Sequence, residues 1–199
     1  MTFSVHIVSY MPHPRRWGSC RRPALNRKSD YTEDDHMYRR ILVALDGGVA
    51  AEAGLEQAIL IAQASDAEVE VIFVLDISAP FLDVAGADPV RMAENLTTAA
   101  EGVLAAAATK LDRARVRFTT CLSGRSGIEQ GIAETIAAEA DAWSADLIAM
   151  GNNGNHGPSG PRMGEIARKV MARTSQPLLL ARAQVDRGHA PSEAHRRAG

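Results

Sequence analysis

Only two cysteines occur among the 199 residues, Cys20 and Cys121. They form neither a metal-ligand spacing nor a disulfide framework. Cys121, at the end of an apolar run, reads as a small buried hydrophobe. No apolar stretch reaches membrane-spanning length, since Ala99 to Ala108 is interrupted by Glu101 and Gly102. Charge of one sign is missing too. A formal net charge of -2 with 46% hydrophobic residues gives no electrostatic case for nucleic acid or a membrane surface. A reduced, cytoplasmic setting is therefore expected.

Catalytic signatures are also missing. There is no Gly-x-x-x-x-Gly-Lys phosphate loop, no Gly-x-Ser-x-Gly nucleophile elbow and no His-Glu-x-x-His zinc helix. Ser126 and Ser159 lie in glycine-containing turns, yet no histidine–carboxylate pair can be assigned to either. A nucleotide-transferring enzyme finds no support, because its histidine and lysine motifs are absent. What remains for catalysis is slow incidental hydrolysis of a bound triphosphate.

Residues 1–36 differ in composition from the rest of the chain. They hold Pro12, Pro14 and Pro23, the pairs Arg15-Arg16 and Arg21-Arg22, and the patch Glu33-Asp34-Asp35. No signal-peptide core or cleavage site is present. Such composition buries too little surface to order itself, so a disordered extension is expected, with Met37 as a candidate start. A basic arm touching a partner is the other reading. Residues 183–199, with Pro191 and Arg196-Arg197, read as a loose tail. That leaves 37–182 as the folded domain.

Inside it, apolar runs alternate with helical patterns. Arg40–Leu45 is a continuous apolar run, and Asp46-Gly47-Gly48 breaks it. Val49 to Ala64 carries apolar residues at helical spacing. The remaining strand candidates are Glu68–Val74, Val116–Leu122, Asp146–Met150 and Gln176–Ala181. The remaining helices are about Arg91–Leu111, Ile128–Ser144 and Gly164–Arg173. This alternation predicts right-handed crossovers and a mainly parallel sheet covered on both faces. Ligands of such sheets sit beyond the carboxyl ends of the strands, at a switch in strand order.

The fourth such end is the richest. Gly151-Asn-Asn-Gly154-Asn-His-Gly157-Pro-Ser-Gly160-Pro-Arg-Met-Gly164-Glu165 joins a strand directly to a helix. Glycines there let backbone N–H groups approach a phosphate at the positive end of a helix dipole. A glycine-tolerant surface loop is the plain alternative.

Three pieces together resemble the universal stress protein family over about Met37 to Arg182. They are Ile41-Leu-Val-Ala-Leu-Asp46-Gly47, Val71-Ile-Phe-Val74-Leu-Asp76 and the glycine loop. Nucleotide-binding members space their loop as glycine, two residues, glycine, nine residues, then glycine followed by serine or threonine. Gly151, Gly154 and Gly164 keep that spacing. The resemblance implies an α/β, flavodoxin-like doubly wound sheet of five mainly parallel strands in the order 3-2-1-4-5. It further implies a homodimer through the strand around Pro177 to Arg182. It also implies an adenine-nucleotide site for ATP, with Mg2+ as a possible companion. Ala44 and Val74 would then serve ribose and adenine, Asp46 would lie near the phosphates, and Gly151, Gly154 and Gly164 would surround ribose and phosphates.

Four departures bear on that site. Glu165 replaces the expected serine or threonine, Asn155 an arginine, Asn153 a histidine (with His156 nearby), and Gly48 a serine. Glu165 matters most, because an ionised carboxylate cannot donate to a phosphate oxygen. It can repel the phosphate, share a magnesium ion with it, or satisfy the helix start itself. Asp46 has a second reading as an N-cap. His156, Arg162 and Arg125 read as exposed side chains, and Asp76 as a turn former. Two functions are consistent with these residues. One is a stress-responsive, dimeric nucleotide-binding sensor or regulator with binding weakened by Glu165. The other is a dimeric protein-interaction module that binds no nucleotide.

Overall fold

The structure, a computed structural model, describes residues 38–76, 88–125, 131–152, 156–157, 160–161 and 163–183. The expectations placed on residues 1–36 and on 184–199 lie outside these, as do those on Ser126, Asn153, Gly154, Asn155, Ser159 and Arg162.

Elements come in the order β1 (Arg40–Leu45), α1 (Val49–Ser65), β2 (Glu68–Asp76), α2 (Pro89–Arg113), β3 (Arg117–Arg125) and α3 (Ile132–Trp143). Then come β4 (Leu147–Gly151), β5 (His156–Gly157), β6 (Gly160–Pro161), α4 (Glu165–Met171) and β7 (Leu178–Ala181). The main sheet has five strands in the order β3-β2-β1-β4-β7, and every pairing within it is parallel. This is the flavodoxin-like arrangement expected from the sequence. Several boundaries move. β2 and β3 extend to the pair Asp76 and Arg125, α4 is shorter than Gly164–Arg173, and β7 starts at Leu178 rather than Gln176.

Strand alternation sorts the core into two layers. Ile41, Val43 and Leu45 of β1 pack with Leu55 and Ala58 of α1 and with Leu104 and Leu111 of α2. Leu42 and Ala44 face the other way, toward Ile136 and Trp143 of α3 and Ala167 and Val170 of α4. Burial on both faces is why β1 reads as uninterrupted apolar sequence. Each fully buried Leu or Ile contributes about 1.5–3 kcal/mol.

Cys121 is buried in the second layer, as a small hydrophobe would be. Its sulfur is nevertheless disulfide-bonded, which departs from the expectation of unpaired cysteines. The chain's other cysteine, Cys20, lies outside the described residues.

Candidate functional site

The carboxyl ends of β1 and β4 lie side by side, with Ala44 in register with Met150. Their onward connections run to helices on opposite faces of the sheet, α1 on one and α4 on the other. A crevice opens at such a parting.

At the end of β1 the chain turns through Asp46 and Gly47. Gly47 adopts φ +79°, in the left-handed region that glycine enters freely. The Asp46 side chain is exposed, and its Oδ1 accepts a 2.8 Å hydrogen bond from the Gly48 N–H. It therefore braces the turn rather than capping the helix. The N-cap is Gly48, extended at φ -82° and ψ 157°, and it makes no side-chain cap bond. The N-cap role considered for Asp46 is thus taken two residues later, by a residue with no side chain to cap α1.

Asp46 also lines an open cavity of about 440 Å³. Its apolar walls are Phe73 and Leu75 of β2 with Leu96 and Val103 of α2. Val74 points away from this cavity, because alternation sends its side chain to the α3 face, beside the layer that contains Ala44. The structure thus groups Ala44 with Val74 on one face and leaves Asp46 at the opening on the other.

At the end of β4, Gly151 is required by packing. A Cβ there would stand 2.5 Å from the Ala50 carbonyl carbon and 2.8 Å from Ala51 Cα, inside the start of α1. Gly164 is the N-cap of α4, again extended and again without a side-chain cap bond. The Gly164 N–H donates to Asn152 Oδ1 at 2.8 Å, and the Asn152 N–H donates to the Ala181 carbonyl at 2.7 Å. Asn152 is 9% exposed. Sequence reasoning did not single it out, because an asparagine just past a strand reads as ordinary loop. Between these anchors His156–Gly157 pairs antiparallel with Gly160–Pro161, a short ladder the sequence did not announce.

Glu165 opens α4 with its side chain 71% exposed, and its Oε1 lies 2.7 Å from Lys169 Nζ, one helical turn on. The Lys169 hydrogen bond and charge, with a smaller contribution from Arg168, hold its carboxyl below the usual range. Lys169 is its partner among the described residues, and the α4 amides are not. As the first residue of α4, Glu165 also places its negative charge in the first turn, where it favours the helix dipole.

One group of side chains elsewhere has metal-like proximity. Ligand atoms of Glu70, Cys121 and Glu139 lie within 4.8 Å of one another. A sulfur held in a disulfide offers no thiolate, so the group does not form a thiolate metal centre. No helix among the described residues is long and apolar enough to cross a membrane.

Comparison with known proteins agrees with this architecture. The model of the universal stress protein family matches residues 37–182. A universal stress protein of Methanocaldococcus jannaschii is 27% identical over 149 residues, covering 74% of this chain and 84% of that protein. The structure of universal stress protein UspA from Lactobacillus plantarum superposes with a TM-score of 0.57 at 27% identity, over 73% of this chain and 98% of that one. The universal stress protein from Archaeoglobus fulgidus in complex with dAMP shares the fold, with a TM-score of 0.54 at 20% identity, over 73% and 98% of the two chains.

Proposed function

Because the chain belongs to the universal stress protein family, we propose that it is a stress-responsive module that binds an adenine nucleotide and acts as a dimeric sensor or regulator. The observation that carries this reading is the position of Asp46. One side chain borders an apolar cavity of about 440 Å³ and also braces the turn that leaves the start of α1 uncapped. An apolar slot suits a flat base, and a helix start without a side-chain cap near it suits an anion. A protein of the same fold is known with dAMP, a ligand of that chemistry.

In this reading the nucleoside enters between β2 and α2, against Phe73 and Leu75, while Ala44 and Val74 face the other side of the sheet and stay outside this slot. The phosphates lie toward Gly151 and Gly164, with Glu165 at their side. ATP is the natural candidate, with Mg2+ offsetting the carboxylate's charge. The role is binding rather than turnover. Calorimetry of the full chain with ATP, with and without magnesium, tests it. Saturable heat is expected, and neither heat nor thermal shift at millimolar nucleotide would refute it.

Self-association belongs to the same proposal. Among the described residues β7 is an edge strand, paired on one side with β4, and Leu178, Leu179 and Leu180 are only half-buried. Beside it, a groove of about 690 Å³ runs between Leu179, Leu180 and Arg182 and the Val49, Ala53 and Glu56 face of α1. Val49 is 74% exposed there. An unpaired edge flanked by apolar surface favours a second copy adding its own β7. This feature alone would also serve a dimeric interaction module without nucleotide, and the calorimetry separates the two readings.

A further inference from the structure

We propose that Asn152 couples nucleotide occupancy beside Gly151 and Gly164 to self-association through β7; the inference rests on the nucleotide reading above. One nearly buried residue joins the ends of three elements. Its main chain continues β4, its N–H holds the Ala181 carbonyl at the end of β7, and its Oδ1 holds the N–H of Gly164, the N-cap of α4. An amide side chain so buried is costly to leave unpaired. A ligand that shifts or fixes Gly164 therefore shifts or fixes Asn152 with it.

One direction of movement is closed. Gly151, the preceding residue, lies so close to Ala50 and Ala51 that β4 cannot move toward α1. The bond from Asn152 N–H to the Ala181 carbonyl carries a displacement of Asn152 to the end of β7, where Arg182 comes next. That is the edge a second copy would use. Coupling of two binding events is reciprocal, so pairing through β7 also favours the arrangement of Gly164 that holds the nucleotide.

The test uses the full chain in sedimentation equilibrium, with and without saturating ATP and magnesium, alongside calorimetry. For wild type, ATP is expected to tighten the dimer by about fivefold or more, and the ATP affinity of each site should rise by about the square root of that factor once the protein is dimeric, because each dimer holds two sites. Asn152→Ala should still bind ATP and still dimerise, with that factor reduced to about one. Asn152→Asp, which keeps the acceptor for Gly164, should retain it. A factor of one in wild type, or an undiminished factor in Asn152→Ala, overturns the proposal. Should Asn152→Ala not fold, hydrogen exchange on wild type decides. ATP should slow exchange at Gly164 and at Leu180 and Arg182 together, and protection of Gly164 alone refutes the coupling. Absence of any ATP binding by calorimetry instead refutes the nucleotide reading, so the two failures are distinct.

Discussion

Gly151 and Ala51 approach so closely that no side chain fits between them. A methyl on Gly151 would stand 2.8 Å from Ala51 Cα and nearer still to the Ala50 carbonyl carbon. Gly54, one helical turn on, repeats the arrangement, since a Cβ there would lie 3.1 Å from the Met150 carbonyl carbon. Two glycines thus let α1 settle directly on the end of β4. The first glycine of the loop is there for packing, whatever it does for a ligand. Gly151→Ala is expected to cost about 1–3 kcal/mol, the usual penalty for overpacking a tight contact. Denaturant unfolding measures it, and a midpoint equal to wild type would show that the backbones have room to part.

Glu165 is the departure with the clearest consequence for a phosphate. Its folded-state pKa is held below the ordinary 4.5 by Lys169. The carboxylate's ion pair is therefore fully present above that ordinary value and is lost only as pH falls through the lowered one. At neutral pH the group is charged. Glu165→Ser is expected to tighten ATP binding by about three- to tenfold, a modest gain because solvent and Lys169 both screen the charge. The ratio of Glu165→Gln to wild-type affinity should stay flat between about pH 6 and 8. A ratio that changes across this range would mean another group governs the repulsion.

The amino end of the sheet offers a control remote from the site. The Asp146 carboxylate accepts from the N–H groups of Arg39 at 2.8 Å and Arg40 at 3.1 Å. The Arg40 guanidinium donates to the Trp143 carbonyl at 2.9 Å and lies 5.9 Å from the Trp143 ring centroid. This clamp joins the starts of β1 and β4. Asp146→Ala should lose about 0.5–1.5 kcal/mol of stability, the net worth of such bonds where water can reach the donors, while ATP affinity measured by calorimetry stays as in wild type. A loss of affinity equal to that of a site variant would show that the site depends on the whole sheet.

The two-sided core was legible because it leaves its mark on every strand residue, as Ile41 to Leu45 show. Strand ends were less so. β3 runs on to Arg125 because Asp76 pairs with it, and backbone pairing beyond the core has no hydrophobic signature. The site was legible in its glycine spacing and in Asp46, but not in which glycine serves packing, since a close approach of α1 cannot be read from residues in β4. Asn152 was hidden for a related reason. Its importance lies in a bond to Gly164, twelve positions away, and in near-complete burial, neither of which its neighbours in sequence encode. Glu165 with Lys169 is the reverse case, an i,i+4 pair visible in the sequence but outweighed there by attention to phosphate.

Among the described residues β7 pairs only with β4, and its outward groups can be assigned residue by residue. The Pro177 carbonyl accepts from Ile148 N–H at 3.0 Å, and the Ala181 carbonyl from Asn152 N–H at 2.7 Å. Alternate residues of a strand present their N–H and C=O to the same neighbour. Pro177, Leu179 and Ala181 therefore bond β4, while Leu178, Leu180 and Arg182 offer theirs to the open side. Two proline substitutions then have different fates. Leu180→Pro removes a donor that faces outward, a position where a strand tolerates proline. It should convert dimer to monomer in sedimentation, with little loss of thermal stability. Leu179→Pro removes a bond to β4 and should cost about 1–3 kcal/mol of stability, whatever it does to association. A Leu180→Pro protein that folds and still sediments as a dimer would exclude pairing through β7 as the contact between copies.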